Sequence, residues 1–298
     1  MDWHGKLHLI DQLTGGVLWS TDRAQDRNGL YPPNSELGGG FFTSGATAFS
    51  PNGQRLAAGG SNGWLVMFNL AGDVLWSKPF GGQIRALRFT PDGTALAVGA
   101  GDWKLHLVDS STGTTRWTGN NEFWPFFFIA MDTSGTLVGS GGKDGTFSLW
   151  DARTGAVQWS RDFYTAFVTG GSISADGQRV LVSDWGFGVR VYDRQGEVLW
   201  FRRFPHAVAA MTADGMLVFV TSYDPELRRS DFWLLDDTGR VIWSYTPDLN
   251  QYCQNTLSPF PRGQFLTMRL APSYSGTVKA AAACIGGSVF EFSIPVAP

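Results

Sequence analysis

Apolar residues in this chain recur in short runs of four to six, separated by clusters of Gly, Asp, Asn, Ser and Pro. Runs such as Lys104-Leu105-His106-Leu107-Val108 alternate apolar and polar positions, the period of a half-buried β-strand. No long segment places apolar residues at i, i+3, i+4 and i+7, the period of a helix. The pattern predicts strands throughout.

The strands come in sets. Segments ending in tryptophan (LHLIDQLTGGVLWS, LVMFNLAGDVLWS, LHLVDSSTGTTRWT, FSLWDARTGAVQWS, VRVYDRQGEVLWF and FWLLDDTGRVIWS) place Trp19, Trp76, Trp117, Trp159, Trp200 and Trp243 at intervals of 57, 41, 42, 41 and 43 residues. Four residues before each stands a glycine (Gly15, Gly72, Gly113, Gly155, Gly196, Gly239), and four before that Asp11, Asp109 and Asp151 or, three before, Asn69, Asp193 and Asp236. A second turn precedes five of the copies: SPNG at 50–53, TPDG at 90–93, DTSG at 132–135, SADG at 174–177 and TADG at 212–215. A third lies between, as SNG at 61–63, GDW at 101–103, KDG at 143–145 and SDW at 183–185. Turns of this chemistry join antiparallel strands. Each period of about 42 residues therefore reads as four strands, the signature of a β-propeller blade.

The expected fold is all-β, a single propeller over 1–298, with 22–43 inserted between the first and second repeats. One phasing reads SPFPRGQFLTMRL as a turn and strand, and GGSVFEFS as the outer GGVLWS strand with phenylalanine for tryptophan; it gives seven blades, the favoured count. The other aligns MRLAPSYSGTVKAAAACIGGS with inner strands and gives six.

Composition narrows the function. A net charge of −3 argues against nonspecific nucleic-acid binding, and the longest apolar run, Phe123 to Met131, is too short for a membrane helix. No basic and apolar leader opens the sequence, so the expected compartment is the cytoplasm, although the chain starts inside a blade. Thirty-eight glycines and 13 tryptophans with only 16% charged residues fit tight turns and largely buried strands.

The D-x-x-T-G-x-x-x-W stretch (Asp11 to Trp19, Asp109 to Trp117, Asp151 to Trp159) resembles the repeat of quinoprotein-dehydrogenase-like (PQQ-like) propellers, and the SPDG-type inner turns resemble WD-repeat propellers. The resemblance implies that each tryptophan docks one blade on the next while the Asp and Gly shape the outer turn. Dehydrogenases of that family carry a vicinal disulfide beside the quinone and a calcium site. Here Cys253 and Cys284 lie 31 residues apart and no acidic cluster stands outside the repeat, so no cofactor or metal is expected. The family's non-enzymatic scaffolds carry export signals that this sequence does not show.

Candidate chemistry is sparse. His8 and His106 occupy equivalent strand positions and read as structural; His206 falls in a connection. Asp102, Asp144 and Asp184 recur in the tight turns, as caps of those turns in preference to a cation ring. Gly59-Gly60-Ser61-Asn62-Gly63 matches a nucleophile elbow by letter only, since it joins two strands.

One expected loop face gathers Phe80, Trp103, Phe123, Trp124, Phe163, Tyr164, Trp185, Phe187, Phe204 and Tyr223 with Arg161, Arg202, Arg203, Arg228 and Arg229. Phe80, Phe163 and Phe204 each follow their tryptophan by four residues and read as packing. The candidate binding residues are Trp124, Tyr164, Arg202, Arg203, His206, Arg228 and Arg229, of the types that dominate protein-recognition surfaces. The expected function is a non-catalytic scaffold or assembly subunit binding another protein or peptide. The alternative is a small molecule or carbohydrate bound or hydrolysed in a central funnel, stacked on Trp103, Trp124 or Trp185. A quinone-dependent enzyme ranks below both.

Overall fold

A computed structural model describes residues 7–20, 46–60, 63–120, 126–164, 166–224, 226, 229–246, 265–271, 277–284 and 289–295. The chain groups into two compact units, residues 1–129 with 152–156, and residues 130–151 with 157–298. The insertion at 22–43, Trp124 and Arg228 lie outside the described residues.

In the first unit, β1 (His8–Ile10) and β2 (Val17–Ser20) form a two-stranded sheet. Next come two four-stranded sheets: β3 (Thr47–Phe49), β4 (Arg55–Gly59), β5 (Trp64–Asn69) and β6 (Val74–Pro79), then β7 (Ala86–Phe89), β8 (Ala95–Gly99), β9 (Lys104–Asp109) and β10 (Thr115–Asn120). A third, whose first strand straddles the boundary at residue 129, holds β11 (Phe126–Met131), β12 (Leu137–Gly142), β13 (Thr146–Asp151) and β14 (Val157–Asp162). The second unit continues with β15 (Val168–Ile173), β16 (Arg179–Asp184), β17 (Gly188–Asp193) and β18 (Val198–Arg203), then β19 (Ala207–Met211), β20 (Val218–Asp224), β21 (Arg229–Leu235) and β22 (Val241–Tyr245). It ends in a three-stranded sheet of β23 (Phe265–Ala271), β24 (Thr277–Cys284) and β25 (Val289–Pro295). Among the described residues, five complete four-stranded meanders and two shorter sheets realise the all-β propeller repeat, in keeping with six or seven blades.

The expected alternation holds only at the blade edges. In β9, Leu105, His106, Leu107 and Val108 are all buried, and β8 and β16 are buried almost end to end. Middle strands of a blade are covered on both faces, so they read as continuous apolar runs. The outer strand β18 keeps the half-buried pattern: Trp200 is buried while Val198, Leu199 and Phe201 are exposed.

The tryptophan and glycine of the repeat form one device. The indole N–H of Trp19 donates to the Leu70 carbonyl (2.9 Å), Trp76 to Ser110 (2.9 Å), Trp117 to Ala152 (2.7 Å), Trp159 to Arg194 (3.0 Å) and Trp200 to Asp237 (3.0 Å). Each acceptor directly follows the repeat's Asp or Asn, and the ring lies over the glycine of the same turn. A Cβ on Gly239 would stand 2.7 Å from Trp200, and Gly239 has φ +80°, so the position requires glycine twice over. The turn at 152–156, clasped by Trp117, accordingly groups with the first unit. The Asp of the turn accepts backbone N–H bonds: Asp109 takes those of Ser111 (2.9 Å) and Thr112 (3.0 Å). Arg116 beside it, with those bonds, lowers its carboxyl to about 2.

A cation two residues past the tryptophan closes three of these clasps. Lys78 Nζ reaches the Gly113 carbonyl (3.2 Å), Arg161 Nη2 that of Gly196 (2.5 Å) and Arg202 Nε that of Gly239 (2.8 Å).

The C-terminal phasing is corrected. GGSVFEFS does not form an outer strand: β25 pairs with β24 as the third strand of its sheet. Phe292 stands 5.9 Å from Trp243, the place that Tyr192 of the third strand β17 takes against Trp159 (5.3 Å). The motif was ambiguous because Gly-Gly precedes third and fourth strands alike in this repeat.

Candidate functional site

In the second unit, four loops meet at one end of the strands. The Trp185 amide donates to the Phe167 carbonyl (2.8 Å), and the His206 amide donates to the Trp185 carbonyl (3.0 Å). His206 Nδ1 lies 3.0 Å from the Tyr223 carbonyl, and its ring meets Trp185 edge-on at 4.8 Å. The connections 163–167 and 204–206 and the turns at 184–187 and 223–226 are thereby tied together in the order expected.

One arginine, from the middle of a third strand, organises this end. Arg190 pairs with the fully buried Asp184 at 2.5 Å, and its guanidinium lies over the rings of Phe201 (4.4 Å), Phe163 (4.9 Å) and Phe187 (5.8 Å). Asp184 Oδ1 accepts the amides of Gly186 (3.0 Å), Phe187 (2.5 Å) and Gly188 (3.3 Å). Asp144 likewise accepts from Thr146 (3.1 Å), and burial pushes its carboxyl above the ordinary carboxylate range. The turn-capping reading of Asp102, Asp144 and Asp184 therefore holds, Asp102 accepting from Lys104 at 3.2 Å. Sequence reasoning missed Arg190; the signal was a charged residue at a position where the equivalent strands carry Ser148 or His106.

Three non-glycine residues adopt left-handed backbone: Trp103 (φ +66°), Tyr164 (φ +57°) and His206 (φ +50°). Trp103 lies in a strand-to-strand turn of the first unit, and Tyr164 and His206 in the loop cluster of the second. Such conformations cost a bulky residue free energy and collect at functional sites. Tyr164 is 85% exposed, its amide held by Asp162 Oδ1 at 2.6 Å, and Phe187 and Trp103 are also exposed. Phe163 and Phe204 are buried, as expected of repeat packing, and Phe80 packs on the first unit's core.

The candidate residues thus divide. Tyr164 and Arg203 are exposed at the loop end, and His206 is held within it. Arg202 is engaged in the clasp on Gly239, a role its Trp-x-Arg spacing could have revealed. Arg229 opens β21 opposite Asp224, its side chain outside the described set. In the first unit, His106 bonds Thr118 (3.0 Å) and Asp102 (3.0 Å), and His8 bonds Ser20 (2.7 Å), the same strand-to-strand offset in both. Burial lowers His106 below its ordinary value despite the opposing Asp102 charge. Among the described residues no group of three or more His, Cys, Asp or Glu could hold a metal ion.

A family model described as Outer membrane protein assembly factor BamB matches residues 4–125 and 143–274. The chain belongs to this family. Its repeats are PQQ-like and WD-repeat-like, as the turn motifs implied. Shorter similarities link it to the small ribosomal subunit protein RACK1y of Oryza sativa subsp. japonica, 28% identical over 99 residues (32% of this chain, 29% of the relative). The serine-threonine kinase receptor-associated protein of Gallus gallus is 28% identical over 109 residues (36% and 31%). THO complex subunit 6 of Homo sapiens is 38% identical over 74 residues (24% and 21%). The chain spans less than a third of the length of each of these relatives.

Proposed function

We propose that this protein is a non-catalytic propeller that binds another protein or peptide through the loop end built on Tyr164, Phe187, Arg203 and His206. The observation that carries the reading is Tyr164: an aromatic side chain 85% exposed, fixed in a left-handed turn beside a cation-bearing, internally satisfied loop cluster. Exposed aromatics and arginines are the residue types of a recognition hot spot, and this loop end presents Tyr164, Phe187 and Arg203. The polar groups behind it serve the fold: Asp184 and the His206 ring are engaged by the loops themselves in place of standing as a free acid and base. Arg228, Arg229 and Trp124 remain candidates for this reading by their sequence positions alone.

The names of the family and of its partial relatives support a protein partner: an assembly factor, a ribosomal subunit protein, a receptor-associated protein and a complex subunit. The test is affinity purification of the tagged protein from its source, with mass spectrometry of co-eluting chains, repeated with Tyr164→Ala and Arg203→Ala. A stoichiometric partner lost with these variants is expected. Recovery of the protein alone, or a partner indifferent to both variants, overturns the assignment and directs screening to small molecules and glycans.

A further inference from the structure

Each clasp described above has two halves: a tryptophan with its N–H, and a turn offering a carbonyl and an open glycine. Among the described residues, one example of each half is left over. Trp243 follows the repeat in every respect, yet its indole N–H meets no acceptor among the described residues. Its ring touches Phe219, Tyr245 and Phe292, and it lines an open depression of about 920 Å³ with Met216, Leu217, Ile242 and Pro295 and with the charged Asp236, Asp237 and Arg240 of the adjoining turn. At the other extreme, the Asp11–Gly15 turn is fully formed, with Asp11 Oδ1 accepting from Leu13 (3.0 Å) and Thr14 (2.7 Å) and Gly15 at φ +70°. A Cβ on Gly15 would meet nothing within 4 Å, whereas one on Gly72, Gly113, Gly155, Gly196 or Gly239 would stand 2.7–3.1 Å from a tryptophan ring. Leu13 in that turn is 96% exposed.

We infer that these halves engage between molecules: Trp243 of one copy clasps the Asp11–Gly15 turn of a second copy, with the Gln12 carbonyl accepting the indole N–H. Gln12 directly follows Asp11, the place of the acceptor in all five clasps observed. The occupant is this chain because the turn that fits is its own. The third-strand place beside β24 is already taken, since β23 and β25 pair with its two edges. The floor suits the exposed leucine, being apolar as it is at Ala95 and Leu137 of the Trp117 and Trp159 clasps. Where Arg179 and Arg55 reach out to hydrogen-bond the next turn, the equivalent residue here is the apolar Leu217, preceded by Met216. Such a contact joins unlike surfaces, so it propagates from copy to copy or closes into a ring of copies. It uses the end of the strands opposite the Tyr164 loops.

Sedimentation velocity of the full chain from low to high micromolar concentration tests this. The wild type is expected to form dimers and larger species. Gly15→Asn keeps the left-handed turn, which Asn tolerates, but sets a side chain where the indole would lie. Trp243→Phe keeps an aromatic ring and removes the donor. Each is expected to weaken association by about tenfold or more. Mixing the two variants restores a one-to-one dimer and nothing larger, because only one good half remains on each. Tyr164→Ala leaves association unchanged, which separates this contact from the proposed recognition face. A wild type that stays monomeric throughout, or folded variants whose mixture associates no better than either alone, overturns the inference.

Discussion

The clasps at one end of the strands and the loop cluster at the other are built from the same repeat but treat it differently. At the clasps every participant recurs: tryptophan, glycine, an acid or (at Asn69) its amide and, in three cases, the following cation. The indole N–H and the cation there meet carbonyls supplied by the next repeat, and the acid is met by amides of its own turn. At the loop end the participants change from blade to blade, and Arg190, Tyr164 and His206 have no periodic counterparts. Recurrence marks the residues that hold blades together, and departure from recurrence marks those free to serve something else.

That contrast can be broken most sharply at the clasps. Trp200→Ala should destabilise the fold by about 3–5 kcal/mol in denaturant unfolding, the usual range for a buried tryptophan. Gly239→Ala should cost about 2 kcal/mol or more, since overpacking adds to the left-handed backbone penalty. Gly53→Ala carries only the latter, at about 1 kcal/mol, because its Cβ would touch nothing within 4 Å at φ +69°. Equal losses at the two glycines would remove the clasp from the explanation.

The neighbouring arginines give a smaller, cleaner contrast. Arg202→Ala loses the bond to Gly239 and should cost about 1 kcal/mol, while Arg203→Ala stays within about 0.5 kcal/mol but weakens partner binding. A reversal of that order, measured by the same unfolding curves, would place Arg203 in the scaffold.

His106 sharpens the comparison through pH. Burial lowers its pKa in the fold below the ordinary 6.5. As pH falls below 6.5 the unfolded chain takes up this proton first, so stability is full above that pH and declines on acidification through the lowered value. His106→Gln should flatten that segment of the stability profile. Asp102→Asn should steepen it, because the Asp102 carboxylate is the charge that supports the protonated ring.

The smallest stability effect is the most diagnostic. Tyr164→Asn relieves a left-handed conformation that Asn tolerates, and should stabilise by a few tenths of a kcal/mol while lowering partner affinity by about tenfold or more. A loss of stability with unchanged affinity would make Tyr164 an ordinary packing residue.

The sequence made the architecture readable because the repeat is written in residues with narrow physical roles. Gly at a left-handed position and Trp over it leave little choice, and the turn acids follow. What it obscured has physical causes too. Burial on both faces erased the alternation of β9, and Gly-Gly before VFEFS matched two different strands equally well. At the loop end, Tyr164 and His206 were visible as departures from the repeat. Arg190 was not, because its role depends on three aromatic rings brought together from separate segments.

Each clasp couples a repeat only to its immediate successor along the chain. Cooperativity in such an arrangement is nearest-neighbour in form, and a local opening spreads outward one step at a time. Amide hydrogen exchange would then record a gradient: slow in β16, where the clasps of Trp159 and Trp200 flank the sheet on either side, and faster in β24, whose neighbour Trp243 has no turn in its grasp.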